Sequence, residues 1–144
     1  VRASESLADL TNIVKTSDYQ DERLAATMSL GFIGDKRSIP VLDNLLDDDE
    51  PNIRWDAAIA LAKMGERSCI PIIRNLMDRE YLITFPQLDH NEVNKVLLIA
   101  IETSSIIKDN LFEPQLMDLA NSDENLTIRN AAIKTLENSY NRIL

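Results

Sequence analysis

Residues 23–49 lie over residues 54–80 without a gap, and no other feature of the chain restricts its folding as much. Identities fall at Arg23/Arg54, Ala26/Ala57, Leu30/Leu61, Gly34/Gly65, Ile39/Ile70, Pro40/Pro71, Asn44/Asn75, Leu45/Leu76 and Asp47/Asp78. Matches of that density at one fixed offset of 31 residues mark an internal repeat. A globule with one irregular core has no reason to write the same helix twice. An array of stacked units does, because each unit leaves an apolar face that only a neighbour can cover.

Each unit reads as two helices. The first carries apolar or small residues at helical spacing (Ile53, Ala57, Leu61, Met64) and stops at Gly34 or Gly65, a residue suited to the left-handed conformation that ends a helix. Pro40 and Pro71 follow a few residues later, in a first turn where the missing N–H has no intrahelical partner to lose. They open a shorter second helix with apolar positions Ile39, Leu42, Leu45 and Leu46, or Ile70, Ile73, Leu76 and Met77; Asp47 or Asp78 then leads the chain out.

Fainter copies flank this pair. Ser6–Val14 aligns with Ser38–Leu46 as a second helix, and Thr127–Ser139 matches Asn52–Met64 as a first helix. Between them, 93–107 and 113–121 form a divergent unit in which Leu97 replaces the arginine and Asp109-Asn110 takes the turn. The units are 1–17, 21–48, 52–80, 91–122 and 125–144, with 81–91 an insertion that holds Tyr81, Phe85, Pro86 and the only histidine, His90. An apolar-rich loop of this length tucks into a groove or covers an end. The expectation is one all-α domain of about seven helices, a fragment of a longer chain since it begins with Val1.

The pattern Ile-Arg, Ala-Ala or Ala-Leu, Gly-Asp/Glu, Ile-Pro, Leu-Leu, Asp resembles the PBS-lyase HEAT-like repeat, most strongly over 21–80 and more weakly over 91–139. HEAT units usually run to ~40–47 residues, so the shorter period points to the compact subclass. The resemblance implies a right-handed α-α superhelix of short helix pairs whose second helices line the concave side, and a role in protein binding.

Composition narrows the function. The net charge of −9 repels phosphate backbones, which nucleic-acid binders must neutralise, so nucleic acid is not an expected partner and a basic protein or peptide is. No apolar run reaches the ~18 residues of a membrane span, so no membrane insertion is expected. A single cysteine, Cys69, forms no internal disulfide and leaves the compartment open, the balance leaning to the cytoplasm.

Chemistry-bearing motifs are scarce, and no catalytic residue, metal or cofactor is assigned. The deoxyhypusine hydroxylases of this repeat class hold two irons with His-Glu dyads, which a chain with one histidine followed by Asn91 cannot assemble. HEAT-like DNA glycosylases line their groove with Lys and Arg, against the charge found here. Phycobilin lyases handle a tetrapyrrole, and that reading requires a pocket bordered by Trp55, Cys69 and His90. Cys69, where the first repeat has Ser38, reads as a packing thiol, and Trp55 as a packing residue. Asp47-Asp48-Asp49-Glu50 lacks the alternating ligands and central glycine of a calcium loop and reads as an acidic turn before a helix. Arg23, Arg54 and Arg129 recur at one position, each with acids just upstream, and read as ties between a helix and its preceding turn.

The second helices carry the functional expectation. One register position holds Asn12, Asn44, Asn75 and Asp118; the position before it holds Thr11, Asp43, Arg74 and Met117. With Asp47 and Asp78, the residues Asn12, Asp43, Asn44, Arg74, Asn75 and Asp118 form a polar strip able to hydrogen-bond a peptide. The function expected is a non-catalytic protein-interaction scaffold. The alternatives are an accessory or substrate-binding module of an enzyme, such as a phycobilin lyase-like protein, and a spacer that binds nothing specific.

Overall fold

The computed structural model describes residues 3–142. Among them are nine α-helices and no strand: α1 (Ala3–Thr16), α2 (Gln20–Ile33), α3 (Ile39–Leu45), α4 (Pro51–Lys63), α5 (Ile70–Leu76), α6 (Arg79–Leu82), α7 (His90–Ile107), α8 (Glu113–Ser122) and α9 (Leu126–Ser139). The number exceeds the expected seven. The flanking half-units, both already expected as helices, and the three helix pairs make eight, one more than the stated seven, and Arg79–Leu82 adds an unexpected turn of helix next to the insertion.

Repeat chemistry sets the helix boundaries. Acidic Asp21 and Glu22 sit in the first turn of α2, where the helix dipole favours them, and Gly34 ends the helix at φ 67°, its N–H donating to the Leu30 carbonyl. Gly65 does the same job after α4 at φ 82°. The third repeat has no glycine there, so Lys108 adopts the left-handed conformation at φ 54° and closes α7 onto the Ser104 carbonyl. A short 3-10 turn then joins first to second helix in every repeat, at Lys36–Ser38, Arg67–Cys69 and Asn110–Phe112. Its last residue is buried each time, as Ser38, Cys69 or Phe112. The helix α7 begins at His90, three residues before the expected Val93, because Asp89 and Glu92 form a reciprocal capping box: Glu92 N donates to Asp89 Oδ1 (2.8 Å), and Asp89 N donates to Glu92 Oε2 (3.0 Å).

The chain divides into two compact units, 1–72 and 73–144. In the first, α2 packs along α4, α1 on α2 and α3 on α4. First helices thus lie side by side, and each second helix lies against the first helix of the following repeat. Leu30, Leu42, Ile53 and Leu61 are fully buried. In the second unit α7 and α8 both pack on α9, the same relation two repeats later, around Leu97, Phe112, Leu116, Ile128 and Leu136. Leu97 occupies the core, which is why this repeat does without the arginine.

Close approach of α2 to α4 depends on small side chains. A Cβ built on Gly31 would stand 2.7 Å from the Ala60 Cβ, closer than carbon atoms pack. Gly31→Ala should therefore lower stability, the overpacking cost of about 1–3 kcal/mol exceeding the gain of about 1 kcal/mol in helix propensity. Urea unfolding is the check, and the loss should shrink when Ala60 is also made glycine. Leu61→Ala, which empties a fully buried site, should cost roughly 2–5 kcal/mol in the same assay.

Candidate functional site

Within residues 1–72 the strip side chains Asn12 on α1, Asp43 and Asn44 on α3, and Asp47 just beyond it are all exposed. Asp43 Oδ1 accepts a hydrogen bond from Ser68 Oγ at 2.8 Å. The amide of Asn44 and the carboxylate of Asp47 make no hydrogen bond to another described residue. Within residues 73–144, Asn75 and Asp118 are exposed, whereas Arg74 and Asp78 are partly used by the fold. Gln115, its amide nitrogen turned to the Leu111 carbonyl (2.9 Å), accepts from Arg74 Nη2 (3.0 Å) and Nε (3.2 Å). Asp78 caps α6 by accepting from Glu80 N at 3.0 Å.

The recurrent arginines do not form a ladder open to a ligand. Arg54 Nη1 donates to the carbonyls of Asp48 (2.8 Å) and Asp49 (3.2 Å), and Arg129 Nη1 to the Asp123 carbonyl (2.6 Å). Both bonds tie a first helix to the turn before it, though through backbone oxygens rather than the acidic side chains. Arg23 donates to the Val14 carbonyl (3.0 Å) and forks onto the Asp48 carboxylate, 25 residues further on.

A second fork went unread in the sequence. Arg79 Nε and Nη2 donate to the two carboxylate oxygens of Asp123 (2.8 and 2.9 Å), and Nη2 also reaches Asn94 Oδ1 (2.7 Å). The available signal was the offset itself: 31 residues after Asp48 stands Arg79, an inversion of charge at an equivalent position.

Asp48 and Asp123 therefore occupy equivalent turns and do the same work. Each carboxylate accepts a forked guanidinium and the backbone N–H two residues ahead (Glu50 N and Asn125 N, both 3.0 Å), while its own carbonyl accepts the arginine six residues ahead. The same turn chemistry thus precedes two first helices, as expected of a chain built from repeated helix pairs. A sequence model described as HEAT repeats matches residues 7–83, more than half of the chain. The chain belongs to the HEAT-repeat family. No curated protein matches it.

The remaining HEAT-repeat side chains with chemical potential are mostly spent on structure. Cys69 is fully buried, its thiol donating to the Glu66 carbonyl (3.2 Å), and burial pushes that thiol up to about 11, away from the reactive thiolate. Trp55 is 5% exposed and belongs to the core. His90 is exposed at the start of α7, its Nε2 3.9 Å from Glu124 Oε2. Among the described residues no group of three or more His, Cys, Asp or Glu side chains is placed to hold a metal, and no helix is long and apolar enough to cross a membrane. Burial pushes the Tyr140 hydroxyl up to about 12, and that hydroxyl donates to the Ser104 carbonyl (2.9 Å).

One surface escaped the sequence reading altogether. Within residues 1–72, the helices α1, α2 and α4 border an open groove of about 850 Å³, lined largely by apolar atoms. Phe32, 93% exposed, and Met28, 58% exposed, rise from α2 beside it.

The clasp at Asp123 makes a pH-dependent prediction. Burial works to raise this carboxyl, but the Arg79 fork, the Asn125 N–H and the nearby Arg129 outweigh it and hold the group below its ordinary value. A depressed carboxyl contributes stability that is complete above its unfolded value, about 3.9, and is lost as pH falls through the folded one. Asp123→Asn should thus cost roughly 2–4 kcal/mol at pH 7, below the full cost of breaking a buried pair because Arg79 keeps Asn94. The difference from wild type should narrow in denaturant unfolding at pH 3.

Proposed function

We propose that this HEAT-repeat chain is a protein-interaction module with no catalytic activity of its own, which holds a peptide or protein along the polar faces of its second helices. The reading is carried by one observation: Asn44 and Asp47 are exposed, adjacent and unused by the fold, next to Asp43 on the same short helix. A folded chain hydrogen-bonds its buried polar groups and leaves its surface ones to water, so side chains of this kind in repeat register can exchange water for a partner's backbone. Asn12 extends the row on α1, and Arg74, Asn75, Asp78 and Asp118 are the equivalents in the second unit. The charge of −9 supports a basic partner, since complementary charge raises association rates and rejects acidic competitors. The 31-residue spacing supports the compact, PBS-lyase-like subclass. No observation favours the tetrapyrrole reading, whose pocket called for Cys69 and Trp55, both core residues here.

The test is capture of partners from a lysate of the source organism, followed by titration of the most enriched protein against wild type and an Asn44→Lys/Asp47→Lys variant. Affinity should fall at least tenfold, with thermal stability within the ~0.5 kcal/mol typical of surface changes. Undiminished affinity would remove the second helices from the function.

A further inference from the structure

Within residues 73–144, the insertion 81–91 is gripped at both ends by one pair of acids far along the chain. Arg79, just before it, forks onto Asp123 (2.8 and 2.9 Å), and its Nε lies 3.7 Å from Glu124 Oε1. His90, at the other end, has its Nε2 3.9 Å from Glu124 Oε2. Arg79 Nη2 also donates to Asn94 Oδ1 on α7 (2.7 Å), so one guanidinium reaches from the start of the insertion to the helix that follows it. The span between is compact. Leu82 is fully buried, the Tyr81 and Phe85 rings meet edge to face with centroids 5.1 Å apart, and Thr84 Oγ1 donates to the Tyr81 carbonyl (2.7 Å). Phe85 N donates to the Leu82 carbonyl and Leu88 N to the Phe85 carbonyl, both at 3.1 Å. A loop whose ends adjoin and whose own side chains fill it is an Ω-loop.

Repeat register explains why the grip is an arginine. Arg23, Arg54 and Leu97 each stand eleven residues before a helix stop, at Gly34, Gly65 and Lys108. In the first unit Arg23 sends its guanidinium to the carboxylate of the turn that closes its own repeat, Asp48. The third repeat has such a carboxylate in Asp123, but at the arginine's position α7 carries the fully buried Leu97. The side chain of Asp123 is only 2% exposed, and a charge so placed is strongly unfavourable without a close cation. Its forked partner has to come from another element, and that element is the start of the insertion. The contacts of Glu124, itself 60% exposed, are long and contribute little, so the fork on Asp123 carries the grip.

We propose that the insertion is a latched loop: Arg79 supplies Asp123 with the guanidinium that Leu97 withholds, and the loop stays closed only while that fork is made. Order at 82–88 then depends on a carboxylate 44 residues from Arg79, so a change in the turn before α9 is transmitted to the insertion. A loop held by Leu82 and its aromatic pair alone has no such link. When latched, the loop presents Ile83, 62% exposed, beside exposed Thr84, Pro86 and Gln87; release uncovers Leu82 as well.

Amide hydrogen exchange of residues 83–88, followed by mass spectrometry on the whole chain, tests it. Asp123→Asn should speed exchange there by about tenfold or more, and so should Arg79→Met. The double variant should be no faster than the faster single one, because both changes remove the same fork. Arg79→Lys keeps the charge and loses the fork; it should fold as wild type and still speed exchange by about threefold or more, which keeps the test decisive should the Asp123 variant not fold. Asp48→Asn breaks the equivalent turn of the first unit and should leave exchange at 83–88 unchanged. Wild-type exchange at 83–88 in the Arg79 variants, additive effects in the double variant, or an equal rise in Asp48→Asn would each overturn the proposal.

Discussion

A carboxylate placed in the turn between helix pairs is the joint on which the rest of this HEAT-repeat chain hangs. Asp48 and Asp123 each gather a forked guanidinium, a backbone N–H and, through their own carbonyls, a second arginine. One short turn thereby fixes three segments: the helix bearing the fork, the turn itself, and the first helix that follows. The fork geometry matters because a planar guanidinium meets a carboxylate through two parallel bonds, which sets an orientation that a lysine would not. The side chain of Asp123 is 2% exposed and that of Arg79 13%, so these charges are held where water screens them little. Part of the chain's acidity is thus structural, and only the remainder is free to face a partner.

Packing then follows from residue size. The close contact of Gly31 with Ala60 lets α2 and α4 lie near one another, and within residues 1–72 each second helix packs on the first helix of the following repeat. Buried polar residues in each unit stay satisfied by turning back on their own helix. Thr27 donates to the Arg23 carbonyl (2.8 Å) and Thr103 to the Ile99 carbonyl (2.7 Å), which allows both to be buried without a partner from elsewhere.

How much of this was legible in the chain varies with the range of the interaction. The helix pairs, the glycine stops at Gly34 and Gly65, and the proline starts at Pro40 and Pro71 were readable because each is local chemistry repeated at one offset. The stop at Lys108 was not, because a lysine carries no preference for the left-handed conformation and takes it here where the chain turns into the Asn110–Phe112 segment. Arg79 was hidden for a different reason. Its partners Asn94 and Asp123 lie 15 and 44 residues away, beyond the reach of a local pattern, and the repeat places Asp48 at that register, so nothing at one offset marks the swap of charge. Among the strip residues, exposure followed from helical register, but the capping role of Asp78 and the bond from Arg74 to Gln115 depend on elements the repeat pattern did not contain. Phe32 defeats pattern reading most plainly, since apolar residues are assigned to cores by periodicity and its exposure depends on which neighbour is present.

Most side chains with chemical potential are engaged by the fold itself. The one thiol is buried and shifted away from the thiolate, the tyrosine hydroxyl of Tyr140 is engaged by a backbone carbonyl, and the best-placed cations are locked into turns. What the fold leaves unspent is of two kinds. Polar side chains on α3 offer many weak, geometrically demanding bonds, which suit an extended partner whose own backbone donors and acceptors recur along its length. Apolar side chains on α2 offer area with little direction, so contact there is governed by shape and burial rather than by aligned bonds.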